Sequence, residues 1–226
     1  LEACDEGDCC VVPLVPVVIV PVLTEHHRVD SMLTSFDGRI GDLVVIDNGN
    51  HPLWKPRTDK AKRIFHYRMP TNLGVAASWN LGIKATCKSS GWLIVNHDVA
   101  FGANGVVDLF RLVSTRNLVL GGKPPWSCFW LGSDVVQKVG LFHEGFHPAY
   151  FEDNDYEIRA HRKGVEIVRS TAAIYHRNSS TLQSNAQFQQ RNQASFDANR
   201  RLFEQRMVQD VPLDWDLNRR LELGWD

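Results

Sequence analysis

Leu43-Val44-Val45-Ile46, followed at once by Asp47-Asn48-Gly49-Asn50, is a short apolar run rich in β-branched residues that stops on a cluster of turn formers. Such a run is suited to burial on both faces, the condition of an inner strand in a parallel sheet. The same grammar recurs on either side. Val17-Val18-Ile19-Val20 is a run of this type ending at Pro21, and Trp92-Leu93-Ile94-Val95 is another, ending in Asn96-His97-Asp98. Ile64 to Tyr67 is a weaker strand, and Leu118 to Leu120 a short one before Gly121-Gly122. Helical spacing predicts helices over Arg28 to Phe36, Val75 to Thr86 and Val106 to Ser114, with Asp37-Gly38 as a turn. Strands interleaved with amphipathic helices define an α/β fold with a mostly parallel central sheet flanked by helices. In open α/β sheets ligands bind beyond the carboxyl ends of the strands. Thr24, Asp47, Asn48, Asn96 and Asp98 fall at those ends, although Asn48-Gly49 by itself reads as an ordinary turn.

The bounds agree. A chain of 226 residues, 43% hydrophobic and 23% charged, suffices for one substantial domain. A net charge of -1 offers no basic excess for bulk nucleic-acid binding. Five cysteines (Cys4, Cys9, Cys10, Cys87 and Cys128) form no disulfide framework or zinc spacing and suit a reduced, cytoplasmic protein. Val11 to Leu23 is apolar, but it is too short to span a bilayer and carries Pro13, Pro16 and Pro21, so no transmembrane segment is expected there. Three regions are expected: an N-terminal tail over 1–12, the α/β domain over 13–180, and a C-terminal helical extension over 181–226. In that extension, Asn185 to Met207 reads as an exposed helix or helix pair with a narrow apolar face marked by Phe188, Phe196, Leu202 and Phe203. Trp215 and Trp225 suggest packing on the body, on a protein partner, or across a homo-oligomer contact.

The second half changes texture. Trp126, Phe129, Trp130, Phe142, Phe146, Tyr150 and Phe151 alternate with Gly140, Gly145 and Pro148, then Glu152, Asp153 and Asp155 crowd into one short stretch. Apolar spacing places a helix from Asp155 to Lys163, closed by Gly164, so Asp153 or Asn154 is an N-cap candidate. Clustered carboxylates raise one another's pKa, and a carboxylate of near-neutral pKa can act as a general base. Val165 to Val168 and Ala172 to Tyr175 read as strands, the second ending at His176. Carboxylate and imidazole together can hold a divalent cation, with oxygen ligands favouring magnesium or manganese. The glycine fingerprints of dinucleotide sites and P-loops are missing, as is the nucleophile elbow of α/β-hydrolases.

Taken in order, these segments resemble a family 2-type glycosyltransferase of the GT-A fold. The resembling segments are Val18-Ile19-Val20-Pro21, Val44 to Gly49, Asn72-Leu73-Gly74 with Asn80-Leu81-Gly82, Val95-Asn96-His97-Asp98-Val99, Val139 to Glu144, and Tyr150 to Asp155 with Arg159, Gly164 and His176. The Asn-x-Asp-Val form of the D-x-D motif resembles that of rhamnosyltransferase-like members. Asn96 stands where the first Asp of D-x-D is usual, and His143 where the block usually has Asp.

The resemblance implies sugar transfer from a nucleotide-diphosphate donor to a hydroxyl of a carbohydrate, lipid-linked or protein acceptor, metal-dependent and inverting. It implies Asp153 as the base, with Glu152 as the alternative base, and Asp155 either capping the helix or holding Arg159. Asp98 would bind the metal–diphosphate unit, His176 would complete the shell of Mn2+ or Mg2+, and Arg177 would meet the diphosphate. Asp47 and Asn72, then Thr24 and Glu25, would meet the base and ribose, and Asn96 the donor. His97 would point away, because alternate residues of a strand face opposite sides. Trp126, Trp130 and Tyr150 are candidates for the acceptor wall, with core packing as the alternative. Two competing readings remain. One is an inactive nucleotide-sugar or carbohydrate-binding protein on the same fold, motivated by Asn96. The other is a sugar-phosphate nucleotidyltransferase, disfavoured because Thr24 to Arg28 lacks glycine.

Overall fold

The computed structural model describes residues 12–176 and 186–208. Seven strands form the main sheet in the order β3-β2-β1-β4-β7-β6-β8. Here β1 is Leu14–Val22, β2 Arg39–Asp47, β3 Ala61–Arg68, β4 Gly91–Val95, β6 Asn117–Leu120, β7 Cys128–Gly132 and β8 Glu166–Arg169. β1, β2, β3 and β4 run parallel, β6 and β8 run parallel, and β7 is antiparallel to both β4 and β6. A small second sheet pairs β5 (Val99–Phe101) with β9 (Ile174–His176), placing Val99 opposite His176. The mostly parallel sheet expected from sequence is therefore present.

Each face of the sheet carries its own apolar layer. One joins Val18, Val20, Leu43, Val45 and Leu93 to α1 (His27–Ser35), α3 (Gly105–Phe110) and the β5–β9 pair. The other joins Ile19, Val44, Ile46 and Ile94 to α2 (Val75–Ala85), α4 (Ser133–Val139) and α5 (Glu152–Arg162). Successive strand residues feed opposite layers, and this is why the inner runs are apolar throughout rather than alternating.

Four features differ from the sequence reading. β1 runs through Pro21, although Pro cannot donate to a ladder. β7, with every residue buried, is an inner strand that the aromatic texture of 126–130 concealed, and α4 follows it directly. α3 ends at Phe110 rather than Ser114. α5 begins at Glu152, so Asp153 and Asn154 lie in its first turn and Phe151 takes the N-cap position without a side-chain cap. Among the described residues of the C-terminal stretch, Ala186–Val208 form one helix, α6. Among the described residues no helix is long and apolar enough to cross a membrane. Cys4, Cys9, Cys10, Arg177, Trp215 and Trp225 lie outside the described residues.

Candidate active site

The N-x-G segments fasten the loops that carry the site. The Oδ1 of Asn72 accepts the Gly74 N–H at 2.9 Å, and Gly74 has φ +80 with the Pro148 carbonyl 2.9 Å from where a Cβ would stand. Only glycine meets both conditions without strain. The Val75 N–H donates to Pro148 O at 2.8 Å, so the start of α2 is fastened to the loop preceding α5. Asn80, fully buried, exchanges hydrogen bonds with the Phe142 backbone, donating to its carbonyl at 2.8 Å and accepting from its N–H at 2.9 Å. It also donates to Glu144 Oε1 at 2.9 Å. His143, the departure from the usual Asp, accepts the Gly145 N–H on Nδ1 at 3.1 Å and so performs a turn-capping task within reach of either residue type.

α5 grips the same loop. Arg159 donates to the carbonyls of Val139 and Leu141, each at 3.0 Å, the Tyr156 hydroxyl donates to Gly140 O at 3.0 Å, and the Phe142 and Tyr156 rings stack at 4.2 Å. Asp155 accepts from Arg159 Nε at 2.8 Å, which settles its role between the two expected. Glu152 stands differently. It is 6% exposed, its Oε2 is buried without a partner, and burial together with the Asp153 charge pushes its carboxyl up to about 8. Asp153 is half-buried; burial raises its carboxyl above the usual range, partly offset by hydrogen bonds such as that from the Asn154 N–H at 2.8 Å. Two adjacent carboxyls held in unlike surroundings can divide proton holding from proton taking.

The second half of the site lies at the end of β4. Asp98 Oδ1 and His176 Nε2 are 2.9 Å apart, brought together by the β5–β9 pairing. Burial alone would raise the Asp98 carboxyl, but the hydrogen bond and charge of His176 and the charge of His97 hold it below its ordinary value. Asn96 Nδ2 lies 3.4 Å from the same imidazole nitrogen. An oxygen and a nitrogen this close fit neighbouring positions around a cation with ligand distances of about 2.1 Å, for which about 3 Å of separation is expected. The donor set, one carboxylate and one imidazole, fits an ion that takes its remaining ligands from substrate and water; among the described residues no group of three acidic, His or Cys side chains forms a self-sufficient metal centre.

His97 was expected to point away. The chain has already left the strand at Val95, so strand alternation no longer governs it. Its ring sits in a field of Asp98, Glu25, Arg28 and His176, and burial keeps its pKa below the ordinary value. Arg28, which is held by Glu25 at 2.9 Å, was not picked out from the sequence as a site cation. The 3-10 turn Pro125–Ser127 ties the two halves together. Ser127 O accepts the Asn96 N–H at 2.8 Å, while Trp126 Nε1 donates to Glu157 on α5 at 3.0 Å.

Two expectations need correction. Asp47 is fully buried and both its oxygens are occupied, by His26 at 2.7 Å, His66 at 3.3 Å and the N–H groups of Gly49 and His51 at 3.1 Å each. It organises a wall of His26, His51, Trp54 and His66 and has no edge left for a base. That wall borders a groove of about 590 Å³ with Lys55 and Arg68 on its rim. Trp130 is 3% exposed, packs against Phe110 and donates to Ser114 O at 2.7 Å, so it belongs to the core and not to an acceptor wall. Trp126 and Tyr150 are half-buried, and Thr24 and Glu25 lie where β1 gives way to α1.

No model of a known protein family matches the chain, and no curated protein matches it by sequence. Solved structures do match its fold. The catalytic domain of Drosophila β1,4-galactosyltransferase 7, in complex with xylobiose, superposes with a TM-score of 0.53 over 77% of this chain and 74% of that one, at 10% identity. GalNAc-T7 with UDP, GalNAc and Mn2+ gives 0.55 at 12% identity, covering 76% of this chain and 44% of that one. S. aureus TarS 1-349 in complex with UDP gives 0.51 at 15% identity, covering 70% and 59%. The architecture is that of the GT-A glycosyltransferases.

Proposed function

We propose that the protein is a metal-dependent, inverting glycosyltransferase of the family 2 type, taking sugar from a nucleotide-diphosphate donor to an acceptor hydroxyl. The observation that carries this reading is the convergence of Asp98 and His176 at the end of β4, on a fold whose neighbours include complexes with UDP and Mn2+. Asp98 and His176 would hold the divalent cation, which supplies charge neutralisation to the leaving diphosphate. Arg28, close to His97, adds a fixed positive charge on that side. Asp153 takes the acceptor's proton as the oxygen attacks the anomeric carbon opposite the leaving group. Glu152, neutral near pH 7, donates a hydrogen bond to a sugar or acceptor oxygen. The nucleotide base meets the aromatic wall that Asp47 organises, while Asn72, Asn96, Thr24 and Glu25 border the donor. Trp126 and Tyr150 face the acceptor.

The test is nucleotide release from a panel of UDP-, GDP- and dTDP-sugars with candidate acceptors, with Mn2+, Mg2+ or chelator. Asp153→Asn is expected to lower kcat by about a hundredfold or more while donor binding persists. Asp98→Asn is expected to abolish the metal dependence of donor binding. Release that survives Asp153→Asn undiminished refutes the base assignment; tight donor binding without turnover on any acceptor makes the chain a binding protein instead.

A further inference from the structure

α6 lies outside every motif of the resemblance, yet one stripe of it closes on the loop that carries the carboxylates. Phe196, Asn199, Phe203 and Arg206 follow the three-and-four spacing of a single helix face. The Asn199 side chain, 4% exposed, donates from Nδ2 to Ala149 O at 2.7 Å, with the carbonyls of His147 and Tyr150 each at 3.4 Å. The Phe196 ring meets Tyr150 edge-on at 5.3 Å and Phe151 at 5.1 Å, and Phe203 covers Phe151 at 5.4 Å. Arg206 Nε donates at 2.8 Å to Asp155 Oδ1, the oxygen that Arg159 leaves open.

The residues so held need holding. Tyr150 and Phe151 are consecutive non-glycine residues with φ +83 and +73. Left-handed backbone at such bulky residues is unfavourable and persists only where surrounding contacts over-determine it. The next residues in the chain are Glu152 and Asp153, so the two left-handed residues set the direction from which both carboxyls project. A helix packed only for stability would lay an apolar stripe on an apolar face. This stripe adds to its two Phe rings an amide aimed at loop carbonyls and a guanidinium aimed at the first turn of α5.

We propose that α6 is a positioning element of the transfer site, in which Asn199 and Arg206 fix the 147–151 loop and the first turn of α5 and so keep Glu152 and Asp153 in register with the donor. The inference rests on the functional reading above. Neither residue touches substrate; both act through the loop.

The test combines hydrogen exchange with kinetics on Asn199→Leu, which keeps the branching and removes the donor, and on Arg206→Met beside Arg206→Lys. Exchange at residues 147–156 is expected to speed about tenfold or more in Asn199→Leu and Arg206→Met, with β1 to β4 unchanged. kcat is expected to fall by about a hundredfold, the size seen when reacting groups are misplaced by about 1 Å, while donor KM stays within about twofold. Arg206→Lys, which keeps a cation against Asp155, is expected to recover part of the loss. Unchanged exchange at 147–156, uniformly faster exchange throughout the sheet, or a parallel change in kcat and donor KM would each overturn the proposal. Should Asn199→Leu fail to fold, Phe203→Leu loosens the same loop and is read in the same way. The exchange arm needs no substrate. A wild type without transfer therefore refutes the functional reading, and loop loosening in the variants separately decides whether the clamp exists.

Discussion

Replacing Glu152 by Gln removes a carboxyl that the fold holds in its protonated state, and the effect on stability should depend on pH in a calculable way. The unfolded chain releases this proton near 4.5, whereas burial and the Asp153 charge delay release in the folded protein to about 8. Between those values the unfolded state binds fewer protons, so folding stability falls as pH rises, by about 1.4 kcal/mol per unit for this group. The penalty is absent below 4.5, about 3 kcal/mol at pH 7, and levels off near 5 kcal/mol above pH 8. Gln carries no such term. It does place amide hydrogens where Oε2 now lies buried without a partner, an opposing and pH-independent cost of about 1–3 kcal/mol. The variant should therefore be less stable than wild type at pH 5 and more stable at pH 8.5, with the curves crossing between. Urea unfolding followed by tryptophan fluorescence at half-unit steps from pH 5 to 8.5 reads this directly; the titrations of groups not coupled to Glu152 cancel in the difference, and only its neighbour Asp153, whose charge contributes to the shift, adds to it. A difference that stays constant across the range would show that Glu152 is not perturbed. Activity supplies a second readout. Because Gln imitates the neutral carboxyl, kcat at pH 7 should stay within about tenfold of wild type, unlike in Asp153→Asn.

Asp47→Asn should weaken the fold more than it weakens donor recognition, because it strips one buried carboxylate from two imidazoles and two backbone donors. A loss of about 2–4 kcal/mol in chemical denaturation is expected at pH 7. Burial works against the ionised form here, but the hydrogen bond and charge of His26 and the hydrogen bonds from His51 and His66 together outweigh it, and the folded pKa is lowered. The carboxylate's contribution is thus full above 3.8 and lost as pH falls through the lowered value. Unchanged stability with weakened nucleotide affinity would instead return Asp47 to the base-binding role. Gly82→Ala would put a methyl 2.7 Å from Ile19 Cδ1, which predicts about 1–3 kcal/mol of destabilisation. Combining it with Ile19→Ala, which removes all three Ile19 atoms that the methyl meets, should cost less than the sum of the two single changes, whereas strict additivity would disprove the overlap.

The inner strands were legible because burial on both faces leaves a local mark: Leu43 to Ile46 and Trp92 to Val95 can be nothing but apolar. β7 carries a comparable run, but Phe129 and Trp130 sit within an aromatic neighbourhood that masks it, and an antiparallel insertion in a parallel sheet leaves no mark of its own. Asp98 and His176 were legible as separate candidates through their places after strands and in the family pattern. Their contact was not, because it depends on β9 returning to pair with β5. Asp47 shows the converse. Its position at the end of β2 has the look of a ligand residue, but His26 and His66 arrive from neighbouring elements and take up both oxygens.

Local chemistry in the sequence by itself determined the α/β class, the parallel strand ends where a site can form, and the carboxylate cluster at the start of α5. These follow from side-chain periodicity and turn composition, which act over a few residues. The tertiary structure alone decided which carboxyl is free and which is held, that Trp130 faces the core, and that α6 covers Tyr150 and Phe151. Those outcomes rest on groups distant along the chain, such as Arg206 against Asp155 at 2.8 Å, and on burial, which sets whether the charge of Glu152 is tolerated.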